Sequence, residues 1–197
     1  MSTEQFVQPV VLSLRGIRLE PLALAHEQGL RLAAQDGQLW RLRVTSVPEP
    51  EQTRAYIETA LKTADRFAFA VIEEASGKVL GSSSYHDILP AVRRAEIGYT
   101  WYAKSAQRSP VNTCCKLMLM TLAFETLGGN TMGWRTDNFN FASQQAIERL
   151  GARKDGVIRG HALRRDGTIR DTVMYSLTQG EWPGVKAHLL YQLDRPR

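Results

Sequence analysis

This sequence predicts an α/β protein with a mixed, mostly antiparallel central sheet of about seven strands, flanked by helices. Three observations lead there. Residues 67–102 hold three strand-like segments joined by short turns, which makes them antiparallel neighbours. A long apolar helix then separates the third of these from a further strand, and such a crossover makes a parallel pair. Finally, two β-rich segments turn on Asp166-Gly167 before a last helix.

The elements follow in order. "VLSLRGIRLEPL" (Val11–Leu22) reads as a hairpin turning at Arg15-Gly16. "ALAHEQGLRLAAQ" (Ala23–Gln35) has helical spacing through Leu24, Leu30 and Ala34. Beyond "SVPEPEQ", "TRAYIETALKTA" (Thr53–Ala64) is an amphipathic helix with Tyr56, Ile57, Ala60 and Leu61 on one face. "FAFAVIEE" (Phe67–Glu74) and "KVLGSSSYHDI" (Lys78–Ile88) form a hairpin through "ASGK", followed by "RAEIGYTWY" (Arg94–Tyr102). The buried helix runs from about Asn112 to Leu127, with Asn112 or Thr113 as its cap, and stops at "GGN". "TMGWRTD" (Thr131–Asp137) is a strand and "FNFASQQAIERLGA" (Phe139–Ala152) a helix. "GVIRGHALRRDG" and "IRDTVMYSLT" make the final hairpin, and a helix follows "EWPG".

Length and composition suit one domain spanning residues 1–197, with 43% hydrophobic and 23% charged residues. The longest apolar run, "LMLMTLAF" (Leu117–Phe124), is too short to cross a bilayer. "MSTEQFVQPV" shows neither a basic start nor an apolar stretch, so no secretory leader is expected. Cys114 and Cys115 are adjacent, where a bridge would be badly strained, so a reducing cytoplasm is the expected setting. The net charge of +5 raises nucleic acid as a partner. The basic residues are scattered in short groups among acids, without interleaved aromatics, which favours a solvated surface that helps steer an anionic ligand.

Ligands of open α/β sheets bind beyond the carboxyl ends of strands. Here that place is the end of "GYTWY", in front of the buried helix, where N–H groups at a helix start attract phosphate. Gln107, Arg108, Ser109 and Thr113 add side-chain donors. Asn140 and Ser143, three residues apart, fall on one face at the start of the following helix. Taken alone, each segment reads first as an ordinary capped turn.

In series they resemble the GNAT superfamily of N-acetyltransferases, closest to its ribosomal-protein N-terminal acetyltransferases. The likeness is carried by "EIGYTWY", "QRSPVNT", "TDNFNFASQQAIERLGA" and "RDTVMYSLTQGEW", and it covers nearly the whole chain. It implies acetyl-CoA, or another short acyl-CoA, and acyl transfer to a primary amine on a protein N-terminus or small molecule. By resemblance, the CoA pyrophosphate would sit on Gln107, Arg108, Ser109, Pro110, Val111, Asn112 and Thr113. Pro110 and Asn112 depart from the family's small residues, and Pro110 has no N–H to donate. The family's splayed fourth and fifth strands would here be Arg94–Tyr102 and Thr131–Asp137, with the acyl arm along Trp101 and Tyr102.

Glu96 is the candidate base, acting through water and alternating with Gly98 and Thr100 on one strand face; a carboxylate paired with Arg93 or Arg94 is the competing view. Ser143 matches the position facing the CoA sulfur and Asn140 one that holds the cofactor arm. His86 and His161 read as ordinary strand-end or surface histidines, Trp40 and Tyr85 as packing aromatics, and Cys114 and Cys115 as small half-buried residues. A non-catalytic acyl-CoA-binding regulatory module is the alternative. The resemblance also allows a homodimer, and no metal or membrane is expected.

Overall fold

A computed structural model describes residues 7–195; most of the segment 1–10, on which the expectation about a secretory leader rests, lies outside that range. Strands β1 (Leu12–Leu14) and β2 (Ile17–Pro21) form the first hairpin, with Arg15 and Gly16 both at positive φ. Helices α1 (Glu27–Gln35) and α2 (Thr53–Lys62) follow. Then come β3 (Phe67–Glu73), β4 (Val79–Leu89) and β5 (Arg94–Tyr102). Helix α3 (Val111–Thr121) leads to β6 (Thr131–Asp137) and α4 (Phe141–Glu148). The chain finishes with β7 (Arg153–Leu163), β8 (Ile169–Thr178) and α5 (Trp182–Asp194).

The eight strands form one sheet in the order β1-β2-β3-β4-β5-β6-β8-β7. This is the α/β, mostly antiparallel sheet the sequence predicts, with one strand more because the first hairpin supplies two. The pair β5 and β6 runs parallel and every other neighbour antiparallel.

Helix α3 is buried nearly all round from Cys114 through Met120, as a helix apolar on most of its sides must be, and it carries Lys116 inside with it. Its last turn widens to a bond from the Leu127 N–H to Leu122 O, 3.0 Å, and left-handed Gly128 ends it. The Tyr85 hydroxyl donates to Leu119 O, which ties β4 to α3 on one sheet face. The opposite face carries α2, whose Tyr56 hydroxyl accepts from Trp101 Nε1 at 3.3 Å. On α2, Ile57 and Ala60 are buried and Tyr56 is half-buried. Leu61 is 54% exposed, so the apolar face is narrower than its spacing suggests.

Candidate active site

The site begins where the two parallel strands part. β5 and β6 pair at only Arg94–Thr131, Ala95–Met132 and Glu96–Gly133, although both continue to Tyr102 and Asp137. A wedge therefore opens between them toward their carboxyl ends. The loop 103–110 with the start of α3 lies at one of those ends, and the turn into α4 lies at the other.

At the first end, Arg108 is left-handed (φ 57°), which bends the chain between Gln107 and Ser109. Gln107 donates to Tyr102 O at 3.2 Å, and Ser109 Oγ donates to Ala106 O at 2.6 Å. Helix α3 starts one residue earlier than predicted, after Pro110, whose side chain cannot cap it. Ser109 Oγ accepts from the Val111 N–H at 3.3 Å, and the N–H groups after it receive no side-chain cap. Asn112 is therefore not the cap: its Oδ1 accepts from the Tyr102 hydroxyl at 3.2 Å. Thr113 does not cap either. The first backbone bond of the helix runs from Cys114 N–H to Pro110 O, so the N–H groups of Asn112 and Thr113 precede it and suit an anionic oxygen.

At the second end, α4 starts at Phe141, two residues later than its pattern suggests, and Asn140 caps it, its Oδ1 accepting from Ser143 N–H at 3.1 Å. Its Nδ2 donates to Val44 O at 3.2 Å, fastening the 36–52 connection over this turn. Arg43 adds a pair with Asp166 at 2.6 Å, and Arg165 donates to Val47 O at 2.6 Å. Asp137 holds buried Arg164 through bonds of 2.7 and 3.1 Å, anchoring the last hairpin beside the same turn.

Within the wedge, Glu96 is 3% exposed. Its Oε2 accepts from Arg135 Nε at 2.7 Å and its Oε1 from Arg94 Nη2 at 3.3 Å. The ion-paired alternative is thus what the fold shows, with Arg135 as a partner and without Arg93. The predicted alternation with Thr100 fails. Tyr99 takes a positive φ (49°), and the register between β4 and β5 shifts there. That bulge turns Thr100 to the other face, where its Oγ1 accepts from Lys116 Nζ at 2.7 Å.

The sequence matches the acetyltransferase (GNAT) domain family over residues 16–153. The chain belongs to that family. It is 36% identical over 110 residues to the Bacillus subtilis (strain 168) protein named "Putative ribosomal N-acetyltransferase YdaF", covering 56% of this chain. The match spans 59% of that relative's length. Among solved structures, a GCN5-related N-acetyltransferase from Brucella melitensis superposes with a TM-score of 0.86 at 31% identity, covering 95% and 86% of the two chains. A "putative acetyltransferase" from T. thermophilus gives 0.84 at 35% identity, covering 95% and 98%.

As a GNAT-family chain it carries three features that its motifs did not announce. Asp87, also left-handed (φ 45°), sits on a second irregularity in β4 and turns back beside His86. Its Oδ2 meets His86 Nδ1 at 2.5 Å, and its Oδ1 accepts from Arg135 at 2.9 Å. Burial pushes His86 below its usual pKa, although Asp87 and Glu96 pull the other way. Burial would raise Asp87, but the His86 bond and the Arg135 guanidinium more than offset it. Burial likewise opposes the charge on Arg135, and Glu96 with Asp87 outweighs it and keeps the guanidinium protonated.

His86, Asp87 and Glu96 bring ligand-type atoms within 4.8 Å of one another. Arg135 is already bonded to both carboxylates and supplies the cation there, so this cluster is an ionic network rather than a metal centre. Arg66 walls the α2 side, donating to Ser84 Oγ at 3.1 Å and the Tyr56 hydroxyl at 3.0 Å, with its guanidinium 3.8 Å from the Tyr99 ring centroid.

On the α3 side lies Lys116, 5% exposed, its ammonium bonded to Thr100 and, at 3.4 Å, to Ser83. Burial lowers its pKa to about 7. Cys114 and Cys115 are fully rather than half buried, and burial lifts the Cys115 thiol to about 12. A thiol held protonated is no nucleophile. Tyr85 is buried against α3 and cannot line an acceptor pocket, while Trp40 is half-buried. Among the described residues no helix is long and apolar enough to cross a membrane.

Proposed function

We propose that this protein transfers an acetyl group, or another short acyl group, from acyl-CoA to a primary amine. The observation carrying this function is the wedge beyond Glu96 and Gly133, opening directly in front of an uncapped helix start. Donors of the right chemistry flank it. The N–H groups of Asn112 and Thr113, with the side chains of Arg108 and Thr113, suit the pyrophosphate, while Ser109 shapes the loop through its bonds to Ala106 O and the Val111 N–H. Gln107 shapes the loop by its bond to Tyr102 O, and Val111 continues it into α3. Backbone along Trp101 and Tyr102 would pair with the pantetheine arm, which Asn140 would steady from the far side.

Bound there, acyl-CoA supplies an activated thioester carbonyl. A backbone N–H near Trp101 would polarise that carbonyl, an oxyanion-type contribution of a few kcal/mol. The Ser143 hydroxyl, at the head of α4, would hydrogen-bond the sulfur and pass it a proton. Glu96 would serve proton movement from the acceptor, through the network it anchors. A protein N-terminus is the proposed acceptor, because the relative YdaF is named a ribosomal N-acetyltransferase.

The direct test is release of the CoA thiol from acetyl-CoA in the presence of short peptides starting with Ala or Ser, and of small amines. Time-dependent release with at least one amine is expected. Binding of acetyl-CoA without release for any amine would instead support a regulatory acyl-CoA-binding module, which the departures at Pro110 and Asn112 favour.

Pro110 gives a second prediction. It sits in helical geometry (φ −63°, ψ −15°) at the start of α3, where a glycine would keep the backbone and add an N–H. Pro110→Gly should tighten CoA binding by about 3- to 10-fold, the worth of one added hydrogen bond. Unchanged or weaker binding by calorimetry would count against a pyrophosphate at this loop.

A further inference from the structure

The proton acceptor can be narrowed further, on the basis of the transferase function proposed above. Both oxygens of Glu96 are occupied, Oε2 by Arg135 and Oε1 by Arg94. From Arg135 the network continues to Asp87 Oδ1, and from Asp87 Oδ2 to His86 Nδ1. It ends at His86 Nε2, which has no hydrogen-bond partner among the described residues. With Nδ1–H donating to a carboxylate, Nε2 carries the lone pair.

That atom lies against the opening of the wedge. A Cβ built on Gly98 would stand 2.1 Å from His86 Nε2, so the ring rests directly on the strand two residues beyond the last β5–β6 pair. Two strained backbones hold it there: left-handed Asp87 on β4 and left-handed Tyr99 on β5. Non-glycine residues persist in that region only when the surroundings impose it, and such positions gather at functional sites. Tyr99 also packs edge-on to the imidazole, ring centres 5.1 Å apart.

We propose that His86 is the catalytic base of this protein, taking the proton of the acceptor amine on Nε2, while Asp87, Arg135 and Glu96 position it. An acceptor ammonium gives one proton to Nε2, directly or through one water, and its nitrogen lone pair is freed. The N–C bond to the acyl carbon forms as the C–S bond breaks. The second N–H proton passes by way of the Ser143 hydroxyl to the departing thiolate, and His86 returns its own proton to water. The imidazolium formed in between faces Asp87 on β4, Glu96 and Arg94 on β5, Arg135 on β6, and Arg66 beyond the Tyr99 ring.

The test combines pH profiles of kcat/KM, using acetyl-CoA and Ala- or Ser-starting peptides, with ¹⁵N NMR of the imidazole in the acetyl-CoA-free protein. His86→Gln should lose on the order of 10²- to 10³-fold in kcat/KM, the usual worth of a general base, and flatten the acid limb. Its acetyl-CoA affinity should stay within about twofold of the parent, because the base touches the amine rather than the cofactor. Asp87→Asn should lose about 10- to 100-fold as the tautomer is released, and Glu96→Gln should keep the acid limb. The NMR spectrum should show His86 protonated on Nδ1 alone near neutral pH.

An Nε2–H tautomer overturns the assignment whatever the variants do. So does a folded His86→Gln protein within about threefold of parental activity, or an acid limb that vanishes in Glu96→Gln but survives in His86→Gln. A parent protein that releases no CoA thiol with any amine would overturn the transferase function itself and, with it, His86 as base.

Discussion

Replacing Lys116 with methionine is expected to stabilise the protein at pH 7 by on the order of 2–4 kcal/mol, raising Tm by about 5–15 °C. Lys116 is buried on α3 with two hydroxyls, Ser83 and Thr100, as its bonded partners and no carboxylate. Burial lowers its pKa to about 7, against about 10.4 for a lysine in an unfolded chain. Between those values the unfolded chain holds a proton that the folded one has lost, so stability rises with pH across that window. Below pH 7 both forms are protonated and the full cost of burying the ammonium is present. Methionine removes that cost, and its unbranched chain fills similar space. Ser83 and Thr100 stay satisfied because their hydroxyls also bond each other at 2.7 Å. Thermal unfolding from pH 6 to 10 should give a rising curve for the parent and a flatter, higher one for Lys116→Met. A variant no more stable than the parent at pH 7 would show that the ammonium is well compensated where it sits.

Gly81→Ala should have a large effect of the opposite sign, a loss of about 3 kcal/mol or more. A Cβ on residue 81 would lie 2.0 Å from Trp101 O and 2.9 Å from Tyr102 Cα. Those obstacles are backbone, so no rotamer change relieves them. Strands β4 and β5 must separate at the register Gly81–Tyr102, where the Ala103 N–H to Leu80 O bond of 2.7 Å closes the strand end. The strand end displaced is the one proposed to carry the thioester. Scanning calorimetry should therefore show a lower Tm, and calorimetric titration of the still-folded variant should show acetyl-CoA binding weakened by about tenfold or more. Parental stability with parental affinity would mean that β5 moves freely at this point and that its backbone does not hold the cofactor.

The hairpins were legible because their turn chemistry is local. Gly16, Gly77 and Gly167 all take the positive φ their turns require. The buried helix was legible because it is apolar nearly all round. The β5–β6 parallel pair was legible because it needs the crossover that α3 provides, whereas the parting of those strands came from the family resemblance alone. What stayed hidden was imposed across strands. Nothing local marks Asp87 or Tyr99 as left-handed, and simple alternation put Thr100 on the face of Glu96 when the bulge sends it to Lys116. Asn112 had the chemistry of a cap, but a tyrosine ten residues earlier claims its oxygen. His86 looked like an ordinary strand-end histidine because Arg135, which joins its partner Asp87 to Glu96, lies 49 residues away, on β6. Spacing can name the strands; it cannot show which side chains a bulge brings together.

The central claim is that the uncapped start of α3 and the wedge beside it hold an acyl-CoA. Isothermal titration of the full chain with acetyl-CoA tests it most directly. One saturable site with a dissociation constant in the micromolar range is the predicted result. No saturable heat at millimolar acetyl-CoA would contradict it.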